Sequence, residues 1–193
     1  MFFESLIIVY FSYLLGSIPS GVIFAKIFSL GELNKIGSGN TGATNVLRTG
    51  NYWAAGLTLF IDFFKAYIAV SICNIINADL IILSASVILV GHIFPVWINN
   101  LNGGKGFASF LGILFAFELS LMLIVCIIWL FVFFKTKISS ASTLISANLS
   151  TFYSLIFLDF ITSLTLLFLN LIIIFSHQEN IKRLKKGKET KIL

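Results

Sequence analysis

Long apolar runs separated by short polar breaks organise the chain. A helix needs about 20 apolar residues to cross the ~30 Å hydrocarbon core of a bilayer. Runs of that order lie near 5–28, 53–76, 80–98, 119–134, 138–158 and 160–178. Segment 107–117, which ends at Glu118, reaches only about 17 Å at the helical rise. It reads as a short, partly shielded span leaving a glycine-rich loop. The pattern predicts an all-α integral membrane protein with seven transmembrane helices, one of them short. Two places break the apolar rule. GSIPSG at 16–21 bends or loosens the inner half of the first span, because Pro19 removes a backbone donor, and lets Ser17 and Ser20 look into polar space. Asp62 and Lys65, three apart in the second span, share a helix face and pair there, which lowers the cost of carrying either charge into lipid.

Composition agrees: 58% of the 193 residues are hydrophobic, only 11% are charged, and mean hydropathy is +1.01, far outside the usual soluble range. Two prolines and the lack of a low-complexity linker leave no place to divide the chain, so 1–193 reads as one polytopic domain with a short basic tail from about 178. The first run lacks the basic start and small-residue cleavage site of a secretory signal and is expected to be retained. Cys73 and Cys126 sit inside apolar runs without a metal-ligand spacing, as packing residues do.

Charge sets the orientation, since Lys and Arg accumulate in cytoplasmic loops. With the amino terminus outside, seven spans place Lys26, Lys35, Arg48, Lys105, Lys135, Lys137 and the tail (Lys182, Arg183, Lys185, Lys186, Lys188, Lys191) on the inner side, and the outer turns hold Asp79, Glu118 and Asp159. Lys65 alone of the cations falls inside a span. The carboxyl terminus is then cytoplasmic, and the tail is expected to face anionic lipid rather than nucleic acid. No internal repeat of the transporter kind is visible.

The same orientation gathers three polar segments on the cytoplasmic face. GSGNTGATNVLRTG, 37–50, offers small residues whose backbone N–H groups can close round an anion, a helix start near Thr44, and Arg48 one turn on to grip phosphate oxygens in a fork. Gly37, Ser38, Gly39, Asn40, Asn45 and Arg48 are the candidates here. The loop lacks GxxxxGK[ST] and is no Walker loop; a plain interhelical turn is the alternative. GHIFPVWINNLNGGKGFAS, 91–109, sets Lys105 between glycines, where little steric bulk hinders a cation leaning over a phosphate; Gly104 and Lys105 are candidates, with His92 a further one beside its structural reading and Ser20 another. At the last span's inner end stand His177, Gln178, Glu179 and Asn180. His177 titrates near neutrality and can act as donor, base or ligand, and Asn180 lies on the same helix face.

GSIPSG, GSGNTGATNVLR, GHIFPVWINNLNGGKG and HQENIKRL, in that order, resemble the bacterial membrane-bound acyl-phosphate:glycerol-3-phosphate acyltransferases. The resemblance implies transfer of a fatty acyl group from acyl phosphate to the 1-hydroxyl of glycerol 3-phosphate, giving lysophosphatidic acid at the start of phospholipid synthesis. It implies a multi-pass protein of the bacterial inner membrane, no cofactor or metal, and the enzyme supplying acyl phosphate as a candidate partner. On matching positions it points to Ser38, Arg48, Lys105, His177 and Asn180, with His177, Ser38 and Asn180 as the catalytic set. Thr41, Asn102 and Ala66 stand where that family commonly carries proline, lysine and glycine. Asn102 subtracts a positive charge, which bears on substrate affinity.

An acyl phosphate is already activated, so positioning and charge neutralisation can carry much of the rate. Without a GxSxG elbow, direct attack by the glycerol hydroxyl is favoured over a covalent Ser38 intermediate. Arg48, Lys105, Ser38 and loop N–H groups are expected to hold phosphate, and His177 and Asn180 to orient glycerol 3-phosphate. The proton acceptor is His177 or a substrate phosphate oxygen, with Glu179 the other nearby base. The competing class is a membrane carrier or channel for phosphorylated anions, which would need a polar path and an outer site.

Overall fold

The computed structural model describes residues 2–98 and 102–192, and every regular element among them is helical. They fall into two compact units, Met1–Ala116 and Phe117–Leu193.

In the first unit, α1 (Phe2–Gly16) and α2 (Ser20–Ile27) together form the first apolar run, broken as expected at Ser17–Pro19. At the break the Ile18 carbonyl accepts a hydrogen bond from the Lys65 ammonium at 2.9 Å. A five-residue helix, α3 (Ala43–Leu47), precedes α4 (Tyr52–Ile76). Asn51 starts α4 by accepting from the Ala54 N–H at 2.9 Å, a standard side-chain cap. Ala54, Thr58, Asp62, Lys65, Ala69 and Cys73 recur at three- and four-residue steps along its buried stripe, the periodicity of one helix face. Small side chains along that stripe let α1 and α5 (Ile81–Ile93) come close. Gly91 marks a close approach of α1 and α5: a β-carbon there would lie 2.6 Å from the Tyr13 carbonyl oxygen and 3.3 Å from the Gly16 Cα. Ser12 and Ser84 hydrogen-bond across this contact at 2.9 Å, satisfying two hydroxyls that lipid cannot. α6 (Phe107–Phe117) is the short segment anticipated. Its Ser109, Phe110, Gly112, Ile113 and Leu114 are buried, which is the expected shielding.

α5 does not run to residue 98. It stops at Ile93 because Pro95 disfavours helical geometry in the residue before it, and Phe94 takes φ −121°, ψ 67°. The Asn99 and Asn100 turn of the second motif lies outside the described residues.

The second unit holds α7 (Leu119–Thr136), α8 (Ser139–Phe157), α9 (Phe160–Ser176) and α10 (Gln178–Lys185). α8 packs on both α7 and α9 through a hydroxyl-rich stripe, Ser142, Thr143, Ser146, Ser150, Thr151 and Ser154. Several of these hydroxyls donate back to carbonyls of their own helix, Ser150 to Ala147 at 2.7 Å and Ser154 to Thr151 at 2.8 Å among them. That satisfies them without water. Asp159 caps α9 by accepting from the Thr162 N–H at 2.9 Å, and this bond holds the Asp159 carboxyl below its usual range.

Phe2–Ile27, Tyr52–Ile76 and Leu119–Thr136 are long and apolar enough to cross a membrane, and α9 joined to α10, bent by 66°, makes a fourth when counted as one span. α5 and α6 are apolar but shorter. Ile127 and Phe131 on α7, Leu155 and Phe157 on α8, and Leu164 and Phe168 on α9 are all exposed, apolar surface of the kind a bilayer covers.

Candidate active site

Two polar clusters emerge, one in each unit. In the first, the loop 37–42 folds on its own side chains. Gly37 and Gly39 adopt φ of 54° and 71°, left-handed geometry that glycine enters without steric cost. Asn45, fully buried, organises the turn. Its Nδ2 donates to the carbonyls of Leu33 and Asn40 at 3.0 and 2.8 Å, and its Oδ1 accepts from the Ser38 N–H at 3.1 Å. Asn40 donates to Ser38 Oγ at 2.7 Å. From the far end of α3, Arg48 Nη1 reaches Ser38 Oγ at 3.3 Å and Asn45 Oδ1 at 3.4 Å. Five of the candidate residues, Gly37, Ser38, Asn40, Asn45 and Arg48, therefore converge, with Ser38, Asn40 and Arg48 only half-buried. A β-carbon on Gly37 would fall 2.6 Å from both the Arg48 side chain and Asn45 Oδ1, so Gly37 also makes room for the guanidinium. Gly39 has a looser surround, its nearest atom being the Asn34 carbonyl oxygen at 3.3 Å.

One expectation for this loop changes. A helix start was expected to offer free N–H groups to an anion, but α3 is five residues long, and the Gly42 N–H ahead of it already donates to Asn40 Oδ1 at 3.0 Å. The positive character of the loop rests on Arg48.

The second motif joins the first. Thr41 N–H donates to the Gly103 carbonyl at 3.3 Å, which places Lys105, half-buried, on the loop that pairs with the first. The flanking glycines have a use that spacing alone did not reveal. Gly103 N–H donates to the Ile93 carbonyl at 2.9 Å and Gly104 N–H to the His92 carbonyl at 3.2 Å, so the loop backbone is spent on closing the end of α5. A β-carbon on Gly103 would strike the His92 carbonyl, and one on Gly104 the His92 ring. His92 is buried beneath the loop, 5% exposed, with Nδ1 3.4 Å from Asp62 Oδ1. Ser20 donates to the same Asp62 oxygen at 2.7 Å. The Asp62–Lys65 pair forms as expected, at 2.7 Å.

In the second unit, His177 does not share a helix face with Asn180 in the simple sense expected: it stands at the 66° bend between α9 and α10, closing the first and opening the second. Both residues are buried, 3% and 4% exposed. His177 Nδ1 lies 2.8 Å from the Ile173 carbonyl oxygen and 3.1 Å from Ser176 Oγ. A carbonyl only accepts, so that nitrogen carries hydrogen, and in the neutral ring Nε2 is left as the acceptor. Asn180 Nδ2 donates to Glu189 at 2.5 Å, Ser140 Oγ to the same oxygen at 3.0 Å, and Arg183 Nε to the other oxygen at 2.7 Å. Burial pushes the Glu189 carboxyl up, but the bonds from Arg183, Asn180 and Ser140 prevail and hold it below its ordinary value. Sequence reasoning missed Glu189; its only signal was an acid within a tail of lysines. Glu179, named as the other nearby base, is exposed and paired with Lys182 at 2.7 Å.

The family model for glycerol-3-phosphate acyltransferase matches residues 6–187. A glycerol-3-phosphate acyltransferase of Pelagibacter ubique (strain HTCC1062) is 40% identical over 188 residues, covering 97% of either chain. One of Wolbachia pipientis wMel is 41% identical over 191 residues, covering 97% of this chain and 98% of its own. Among solved structures, PlsY (YgiH), an integral membrane glycerol 3-phosphate acyltransferase, superposes in its glycerol 3-phosphate form with a TM-score of 0.90 at 31% identity, over 97% of this chain and 94% of that one. Its lysophosphatidic acid form superposes at 0.87.

Proposed function

The chain belongs to the glycerol-3-phosphate acyltransferase family, and from that premise we propose how its residues carry out the acylation and from which donor. It is a multi-pass membrane protein that acylates glycerol 3-phosphate. The donor is acyl phosphate and the product lysophosphatidic acid. The observation that carries this reading is the convergence of Arg48 on Ser38 in a loop tied by Thr41 to the Lys105 loop. Two half-buried cations on paired loops suit a reaction in which both substrates bear phosphate.

In this reading Arg48, Ser38 and Lys105 bind phosphate, with Gly37, Gly39, Asn40, Asn45 and Gly104 shaping the loops that present them. The 1-hydroxyl of glycerol 3-phosphate attacks the acyl carbonyl. The new ester C–O bond forms, the bond from carbonyl carbon to the bridging phosphate oxygen breaks, and inorganic phosphate departs with its electron pair. The hydroxyl proton passes to His177 Nε2 or to a phosphate oxygen. The Nδ1–Ile173 hydrogen bond supports the former, because it fixes the tautomer with an acceptor at Nε2. Asn180, steadied by Glu189, orients the acceptor substrate.

Seven spans with the amino terminus outside complete the proposal: α1 with α2, then α4, α5, α6, α7, α8 and α9. Acids Asp79, Glu118 and Asp159 at the opposite turns from Lys35, Arg48, Lys105, Lys137 and the basic tail support a cytoplasmic active site in the bacterial inner membrane. In this proposal residues 1–193 form one polytopic domain with a short basic tail from about 178. The test is purified protein in lipid with labelled glycerol 3-phosphate and either palmitoyl phosphate or palmitoyl-CoA, without added metal. Lysophosphatidic acid from palmitoyl phosphate alone is the expected result; equal or preferential use of palmitoyl-CoA overturns the donor assignment.

A further inference from the structure

We propose that Asp62, inside α4, is a positioning residue for this reaction: it holds His92 as the floor on which the Gly103–Gly104 backbone rests, and so sets where Lys105 points. The inference rests on reading Lys105 as a phosphate ligand.

An ion pair that only neutralised charge would need Lys65 and nothing more. Asp62 has much more. Its carboxylate, 2% exposed, accepts from Ser20 Oγ and Lys65 Nζ at 2.7 Å each and faces His92 Nδ1 at 3.4 Å. Its carbonyl accepts from Ser109 Oγ at 3.1 Å. The partners come from four places: the start of α2, α4 itself, the end of α5, and the start of α6. Three of the four, Ser20, His92 and Ser109, adjoin a phosphate loop. Ser20 precedes Gly21, against which the Thr41 carbonyl is packed so closely that a β-carbon would collide with it. His92 lies under Gly104. Ser109 follows the Lys105 loop by one helical turn. A buried ionic group is poor evidence for stability, because desolvation offsets much of its attraction; its use is to hold several segments in one arrangement. His92 Nδ1 has no hydrogen-bond partner among the described residues, and the carboxylate it faces is that of Asp62, 3.4 Å away.

The reading separates cleanly from a charge-neutralising role in the full-length protein purified in lipid. D62N/K65M removes both charges together, so no lone ion is left in the membrane. We expect it to remain folded, with a melting temperature near that of the parent, but to raise KM for glycerol 3-phosphate or palmitoyl phosphate at least tenfold. H92N is expected to raise the same KM to a similar extent. The triple variant should be no worse than either, since residues acting in series are not additive. Unchanged KM in folded D62N/K65M, or strictly multiplicative effects in the triple variant, overturns the proposal. Should D62N/K65M fail to fold, H92N carries the test alone, and an unchanged KM there has the same force. K105M run alongside keeps the two layers apart: if it leaves both KM values unchanged, the phosphate role of Lys105 fails whatever Asp62 does.

Discussion

Gly104→Ala should disable the enzyme without unfolding it. A β-carbon at this position would fall on His92, with Cε1 at 2.6 Å and Cδ2 at 3.2 Å, where ordinary contact begins near 3.4 Å. Relief needs a displacement of about 1 Å. The ring is no flexible tip able to swing aside, because it is 5% exposed and faces Asp62. The loop is the softer side, held to α5 by the Gly103 and Gly104 N–H bonds at 2.9 and 3.2 Å. Overpacking of this kind costs about 1–3 kcal/mol, and a misplacement of about 1 Å at a catalytic constellation costs roughly 100-fold. The expected outcome is a 30- to 100-fold fall in kcat/KM, roughly 2–3 kcal/mol in transition-state binding, with a melting temperature lowered by only a few degrees. The assay is lysophosphatidic acid formation from palmitoyl phosphate across a glycerol 3-phosphate series, beside a thermal scan. Gly56→Ala is the matched control: nothing lies within 4 Å of its β-carbon, and replacing a mid-helix glycine stabilises by about 0.5–1 kcal/mol. Folded Gly104→Ala with kcat/KM equal to that of Gly56→Ala would refute the reasoning.

Arg48→Lys keeps the charge but loses the guanidinium whose Nη1 reaches Ser38 and Asn45 at 3.3 and 3.4 Å; charge-assisted bonds are worth about 1.5–3 kcal/mol, so kcat/KM should drop about 10- to 100-fold in the same assay. His177→Ala should lower kcat by roughly 100-fold or more if His177 takes the proton, and full turnover would transfer that role to a substrate phosphate oxygen. Glu189 supplies the pH dependence. Its carboxyl is held below the ordinary value of 4.5 in the folded state, so the stability it contributes is complete above that value and lost as pH falls through the lower, folded one. Melting temperatures recorded from pH 7 to 3 should show the parent losing more on acidification below about 4.5 than Glu189→Gln; parallel curves would remove Glu189 from that role.

Sequence was a good guide wherever a property repeats along the chain or depends on near neighbours. Apolar runs longer than a bilayer core marked the helices, since no other element satisfies its own backbone in lipid. Ser17–Pro19 announced the break between α1 and α2, the three-residue spacing of Asp62 and Lys65 announced their pair, and glycine runs with Arg48 and Lys105 announced the loops. Misreadings came where the decisive partner is far along the chain. Gly104 reads from sequence only as a residue leaving room beside Lys105, whereas it also clears space for the His92 ring, as Gly103 does for the end of α5. Asp62 was read as half of a pair, whereas it also collects Ser20, 42 residues away, and His92. Glu189 was passed over because nothing near it in the tail says that Ser140, 49 residues earlier, will meet it. The bend at His177 likewise turns a presumed shared face into a junction. Helix and loop are decided by local sterics, backbone hydrogen bonding and transfer into hydrocarbon, which the order of residues states directly. Which side chains meet across helices depends on packing small residues such as Gly16 and Gly91 backbone to backbone, and only the tertiary structure decides that.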